Sequence, residues 1–299
     1  MIKVTDVTKY FDEFKVLDNI SMHVRRGTIY GLIGPNGAGK TTIINHINGV
    51  LTPKCGEIEI DGEAVFENDM IKQRVLNISD DWFYYSTFTI KEMARFYRDM
   101  YPSFSNERYE AIKGIFKLDE KRQIRKLSKG MKKQVAFWLS LSAMPDVLIL
   151  DEPLDGLDPV MRKQVLNLVI ADVADREMTV LVSSHNLREL EDICDWVGII
   201  HHGRMILEKP LDDLKGSVHK YQLVLSGEDA KKLSEDKSVL HISSTGSVYS
   251  IIVRGSAEEY NARFSLLSPA LCERVSLTLE EVFIYELGGL GYDFTSILV

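Results

Sequence analysis

Ile2-Lys-Val-Thr-Asp-Val alternates apolar and polar positions, the period-two pattern of a half-buried strand. Ile20 to Val24 repeats it, and Gly27 follows as a turn. Thr28 to Ile33, Val147-Leu-Ile-Leu and Thr179 to Ser183 read as short strands buried on both faces. Between them the spacing changes. Ile43, Ile44 and Ile47 recur with a helical period that Asn48-Gly49 ends. The stretch of about 81–145 is mostly helical and rich in aromatic residues, and Val165 to Ile170 is helical. Leu187, Leu190, Ile193, Cys194 and Val197 predict a further amphipathic helix. Strands alternating with helices predict an α/β fold whose mainly parallel sheet is covered on both faces.

From about Gly216 the texture changes. Strand patterns at Tyr221 to Leu225, Val239 to Ser243, Val248 to Val253 and Leu271 to Val275 flank helices at Glu228 to Glu235 and Ala257 to Leu267. That β-α-β-β-α-β order predicts a small α+β domain of ferredoxin-like type over 216–299. A last helix is expected at about Leu279 to Leu287.

Three segments carry chemistry. Gly34-Pro35-Asn36-Gly37-Ala38-Gly39-Lys40-Thr41-Thr42 fits the phosphate-loop pattern G-x-x-x-x-G-K-[ST], and it leaves a strand and opens a helix as that motif requires. Glycines let backbone N–H groups curl around a polyphosphate, and the helix N-terminus adds partial positive charge. In such a loop Lys40 pairs with the β- and γ-phosphates and the Thr41 hydroxyl holds Mg²⁺. Asp151 and Glu152 end the buried strand at Val147. Asp151 is placed to hold Mg²⁺, and Glu152 to orient or deprotonate an attacking water. His185 follows the strand at Thr179, where it could reach a γ-phosphate or simply start a helix. Lastly, Leu127-Ser128-Lys129-Gly130-Met131 opens a helix with apolar spacing, Ser128 being a plausible N-cap. Leu157-Asp158-Pro159 reads as a turn.

Composition narrows the classes. A length of 299 residues predicts about two domains. Hydrophobic residues make up 45% and charged residues 27%, an ordinary globular balance. No apolar stretch approaches the ~20 residues needed to cross a bilayer, and no leader pattern is expected at the start. Cys55, Cys194 and Cys272 are scattered, which predicts a reducing compartment without disulfides. A formal net charge of −8 without a long basic run argues against nucleic acid as a partner.

Taken together, residues 1–215 resemble the ATPase subunits of ATP-binding cassette (ABC) proteins. The resemblance rests on the phosphate loop (34–42), a Leu-Ser-x-Gly signature (127–130), Asp151-Glu152, a D-loop at 157–158 and a switch histidine, His185. It implies a P-loop NTPase core with a helical subdomain (about 81–145), using ATP and Mg²⁺. It also implies a dimer of two such domains, identical or different, in which each ATP lies between the phosphate loop of one chain and Ser128 and Gly130 of the other. Phe11 stands where the family usually has a Tyr on adenine, with Tyr10 as the neighbouring candidate. Asp80 stands where a Q-loop Gln is expected, and this departure makes it a candidate for catalysis and for Mg²⁺. Lys129 and Met131 replace the commoner Gly and Gln. Trp82 to Tyr85 follow the Q-loop, where the family receives a permease subunit; a buried aromatic cluster is the alternative. The ending Ser276-Leu-Thr-Leu-Glu-Glu-Val-Phe-Ile-Tyr is similar to bacterial drug-efflux or antibiotic-resistance exporters. The expected function is therefore an ATPase on the inner face of the cell membrane, held there by a permease. A non-transport ABC ATPase and an ATP-dependent regulatory or sensor protein are the alternatives.

Overall fold

The computed structural model describes residues 1–79, 85, 87–225, 227–234, 236, 238–267 and 269–288. Asp80 and Trp82 to Tyr84 lie outside the described residues. The chain divides into two compact units, Met1–His185 with Ile193–Glu208, and Asn186–Asp192 with Lys209–Val299.

The first unit begins with β1 (Ile2–Phe11) and β2 (Phe14–Val24), an antiparallel pair running from Ile2↔Val24 to Phe11↔Phe14. Next come β3 (Ile29–Ile33), α1 (Lys40–Ile47), β4 (Cys55–Ile60) and β5 (Glu63–Ala64). β2-β1-β4-β5 make one sheet. α2 (Asp69–Lys72), β6 (Val75–Ile78), α3 (Ile90–Met100), α4 (Asn106–Phe116), α5 (Lys129–Ser142), β7 (Val147–Asp151), α6 (Pro159–Arg176) and β8 (Thr179–Ser184) follow. α7 (Leu187–Leu190) belongs to the second unit, and β9 (Trp196–His201) and β10 (Arg204–Pro210) follow it. The larger sheet has the order β10-β9-β3-β8-β7-β6, with parallel pairing at β9/β3, β3/β8, β8/β7 and β7/β6.

Every residue of β3, β7 and β8 is buried, as their mostly apolar runs predict. Ile43, Ile44 and Ile47 of α1 join one core with Ile2, Leu17, Ile149 and Leu181. The helical region carries its own aromatic packing. Trp138 Nε1 donates to Tyr109 O at 2.8 Å, and the two rings stack 4.7 Å apart. Asp172 of α6, almost fully buried, is held by Arg108 of α4 at 2.5 Å and by Arg176 at 3.1 Å.

The helix expected over 187–197 is corrected: it stops at Leu190, and Val197 lies in β9. Trp196 pairs with Tyr30 in the parallel sheet, and the Asp195 carboxylate accepts from Ile29 N at 2.8 Å. Strand pairing fixes this segment as extended, overriding its helical spacing.

The second unit adds α8 (Leu211–Gly216), β11 (Val218–Val224), α9 (Gly227–Ser234), β12 (Val239–Thr245), β13 (Val248–Arg254), α10 (Ala257–Leu266), β14 (Cys272–Val275) and α11 (Leu279–Gly288). Its sheet runs β12-β13-β11-β14, each neighbour antiparallel, which is the ferredoxin-like arrangement. Tyr221, Leu223, Ile251, Val253, Tyr260 and Phe264 form the core on one face. On the other, Lys220 pairs with Glu281 of α11 at 2.8 Å. Glu281 also takes Thr278 N at 3.0 Å while Glu281 N donates to the Thr278 hydroxyl, a capping box that starts α11.

Asp236 ties the α9–β12 turn. The Ser238 hydroxyl and amide and the Arg263 guanidinium hold its carboxyl down to about 2. A folded-state value below the unfolded one stabilises above about pH 4, and the contribution is lost as pH falls through about 2. Asp236→Asn is therefore expected to cost about 1 kcal/mol at neutral pH, discounted for a surface pair. Urea unfolding followed by circular dichroism should show the difference from wild type closing in acid. A pH-independent difference would argue against the charge.

Candidate nucleotide site

β3, β8 and β7 are adjacent and parallel, so the loops leaving their carboxyl ends meet. The first carries Gly34 to Thr42, the second His185, the third Asp151 and Glu152. Residues far apart in sequence thus converge at one sheet edge.

Gly39 precedes α1 with φ +110, and a Cβ there would stand 2.8 Å from Leu17 Cδ2. Only glycine accepts both constraints. Lys40 is 6% exposed, and its Nζ donates to Gly34 O at 2.7 Å and Pro35 O at 3.3 Å, so the loop curls back over the lysine. The same ammonium lies 3.4 Å from Glu152 Oε1. Thr41 Oγ1 donates to Asp151 Oδ2 at 2.8 Å, and Ser183 Oγ donates to the other carboxylate oxygen. Glu152 Oε2 lies 2.9 Å from His185 Nδ1, which donates when that nitrogen carries the proton. Glu152 Oε1 is shielded from solvent and accepts no hydrogen bond.

These observations fit ATP with Mg²⁺. The open end of α1 and a buried ammonium suit a polyphosphate. A hydroxyl and a carboxylate side by side are hard oxygen donors, the kind of partial set that Mg²⁺ completes with phosphate and water. Among the described residues there is no cluster of three or more His, Cys, Asp or Glu for a protein-only metal site.

The remaining sequence candidates lie elsewhere. Phe11 ends β1, 46% exposed, with Lys9 Nζ 5.5 Å from its ring. The Tyr10 ring is already covered by Lys54 at 4.6 Å and Lys15 at 5.6 Å, which leaves Phe11 the freer face. Ser128 caps α5, its hydroxyl accepting from Met131 N at 3.3 Å, and Gly130 lies in the first turn. Asp158 caps α6 through Val160 N and Met161 N. Asp80 lies outside the described residues.

A family model described as ABC transporter matches residues 17–155. The ABC transporter ATP-binding protein YtrB of Bacillus subtilis is 30% identical over 289 residues, 97% of this chain and 99% of its own length. The chain belongs to the ABC transporter ATP-binding proteins. The bacitracin transport ATP-binding protein BcrA of Bacillus licheniformis is 37% identical over 224 residues, 74% of this chain and 73% of its own. A solved ATP-binding subunit of an ABC transporter superposes with a TM-score of 0.68 at 30% identity, covering 72% of this chain and 92% of that one. This ABC chain is an ATP-binding, ATP-hydrolysing subunit of a transporter, of a family whose ATPases dimerise and pair with a transmembrane component. Among the described residues no helix is long and apolar enough to cross a membrane.

Ser183 was not singled out from the sequence. Its signal was a small polar residue at the carboxyl end of a fully buried strand, facing a carboxylate one strand away.

Proposed function

We propose that this chain powers export by closing on a second ATPase subunit around two ATP molecules. The observation that carries it is the gathering of Lys40, Thr41, Asp151, Glu152 and His185 around one phosphate loop. Lys40 and the α1 amides bind the phosphates, Thr41 and Asp151 hold Mg²⁺, and Phe11 covers the adenine. Mg²⁺ held there would neutralise charge on the polyphosphate. Glu152 accepts the proton of the attacking water on Oε1, while His185 fixes the carboxylate through Oε2. Ser128 and Gly130 close the partner's site. Asp80 is the sequence-derived candidate for reporting the γ-phosphate to the permease.

The permease docks, on this reading, in a cleft of about 540 Å³ whose wall includes Val50, Leu76, Phe96, Met100 and Tyr101. Val50 and Met100 are exposed, and the lining includes Ser79, one residue before Asp80 in the sequence. Tyr85 packs against Phe96, its ring centroid 5.4 Å away edge-on. Apolar side chains at the rim of a cleft suit an amphipathic helix of a partner. Attachment to such a permease places the chain on the inner face of the membrane. The relatives named for bacitracin, lantibiotic and multidrug transport make a drug or antibiotic the favoured cargo.

The test is purification from membranes, with the hydrophobic partner identified by mass. Met100→Glu is expected to reduce recovery of that partner about 10-fold while leaving ATP affinity within about threefold, since a buried charge at an interface is strongly disfavoured. Unchanged recovery would remove the cleft from the docking surface.

A further inference from the structure

The start of α5 and the loop after β7 are joined by contacts that the hydrolysis scheme does not use. Lys133 is 5% exposed, and its Nζ donates to Glu152 O at 2.9 Å and to Asp155 O at 3.2 Å. A buried ammonium is tolerated only where its donors are used, so these bonds are held firmly. One turn earlier the same helix meets the same loop. A Cβ on Gly130 would stand 2.8 Å from Gly156 O, so glycine lets the two backbones approach. The Lys129 stem also lies beside Gly156, its Cδ 3.5 Å from where a Cβ would stand. Glu152 itself has φ 48, a left-handed conformation that an L residue keeps only under constraint. A donor on its own carbonyl is part of that constraint.

We propose that Lys133 is a positioning residue for hydrolysis, clamping the backbone of Glu152 and Asp155 to α5 so that the Glu152 carboxylate and the Ser128–Gly130 turn move as one body. The inference rests on the two-chain ATP arrangement above. There, Glu152 serves the ATP on its own phosphate loop, and Ser128 serves the ATP held by the partner. Lys133 therefore passes a displacement of α5 at one ATP to the carboxylate at the other. It touches no reacting atom; its action runs through the loop backbone.

Lys133→Met in the full chain keeps the stem and removes the donors. The expected result is a kcat at least ~10-fold lower with KM for ATP within about threefold, because the loss falls on the transition state rather than on binding. A Hill coefficient above one in the wild type drops toward one. Amide exchange across 152–158 accelerates at least ~10-fold while α1 and β3 keep their protection. Lys133→Gln retains N–H donors on a shorter stem, and its kcat falls only about threefold. A lysine needed for folding alone would lower the melting temperature without separating kcat from KM. Wild-type kcat and exchange in Lys133→Met overturn the proposal. Where Lys133→Met does not fold, a Lys133→Gln kcat equal to wild type does so. ATP-dependent dimerisation of Glu152→Gln is the control. Its absence defeats the two-chain arrangement whatever Lys133 does, whereas a normal dimer with wild-type turnover in Lys133→Met defeats Lys133 alone.

Discussion

Glu152→Gln is expected to bind ATP normally, to hydrolyse it at least ~100-fold more slowly, and to accumulate as an ATP-bound dimer. A 100-fold loss corresponds to about 2.7 kcal/mol of transition-state stabilisation, within the range of a positioned general base. The structure says why the substitution is selective. Glutamine keeps the length of the side chain and an acceptor oxygen for His185 Nδ1, now 2.9 Å from Oε2. It removes the basic oxygen that faces the phosphate loop, Oε1, and it removes the charge 3.4 Å from Lys40. In the proposed scheme ground-state binding draws on Lys40, Thr41 and the α1 amides, which the variant leaves in place. ATP bridging two chains then links association to nucleotide, so the dimer should appear with ATP and vanish with ADP. The measurement is phosphate release together with size-exclusion chromatography, run with the permease complex if the natural partner is a different subunit. Near-normal turnover would assign the base elsewhere.

How much of this was legible in the sequence follows from where each signal resides. Gly34 to Thr42 and Asp151-Glu152 are local, because backbone geometry and residue type are set within a few positions. Their meeting is not local. It depends on β3, β8 and β7 being neighbours, and the sequence order does not state that. The family resemblance supplied it. The sheet β2-β1-β4-β5 was only half visible, since Cys55-Gly-Glu-Ile-Glu-Ile has one fully exposed half and a weak alternation. Residues 187–197 misled because Leu187, Leu190, Cys194 and Val197 are all buried, at spacing a helix would also give. Leu187 and Leu190 lie in a one-turn helix, Val197 in a parallel strand, and Cys194 in the segment between them. The second unit was read well for the opposite reason. Its helix and strand runs do not overlap and are divided by turn residues such as Thr245-Gly246-Ser247, and two of its helices start at a polar cap, Ser256 at α10 and Thr278 before α11. Lys133 was invisible, because a lysine in a helix is ordinarily solvated and only the fold shows it buried against two carbonyls.

Lys40→Met is expected to fail one step earlier than Glu152→Gln, at binding. Lys40 is nearly enclosed, so in the proposed role its ammonium would meet phosphate with little competing water, and charge-assisted bonds of that kind are the strong ones. Removing them should weaken ATP affinity at least ~100-fold, about 2.7 kcal/mol, in line with one or two hydrogen bonds to a charged group. The same nitrogen ties Gly34 O and Pro35 O, so the loop also loses its internal fastening. Global stability should change little, since the desolvation cost of a buried cation disappears with it and the methionine stem refills the slot. Lys40→Arg does not rescue, because a planar guanidinium needs a wider space than this loop leaves and directs its donors differently. Titration with a fluorescent ATP analogue, beside a thermal melt, separates the two effects. Affinity within threefold of wild type would mean that the loop amides bind the phosphates alone. Lost affinity with an unchanged melt places the effect on the phosphates. A substitution on one side of the 3.4 Å contact then abolishes binding, and one on the other side abolishes turnover with binding intact. That asymmetry distinguishes a phosphate ligand and a base held face to face from an ion pair that merely stabilises the fold.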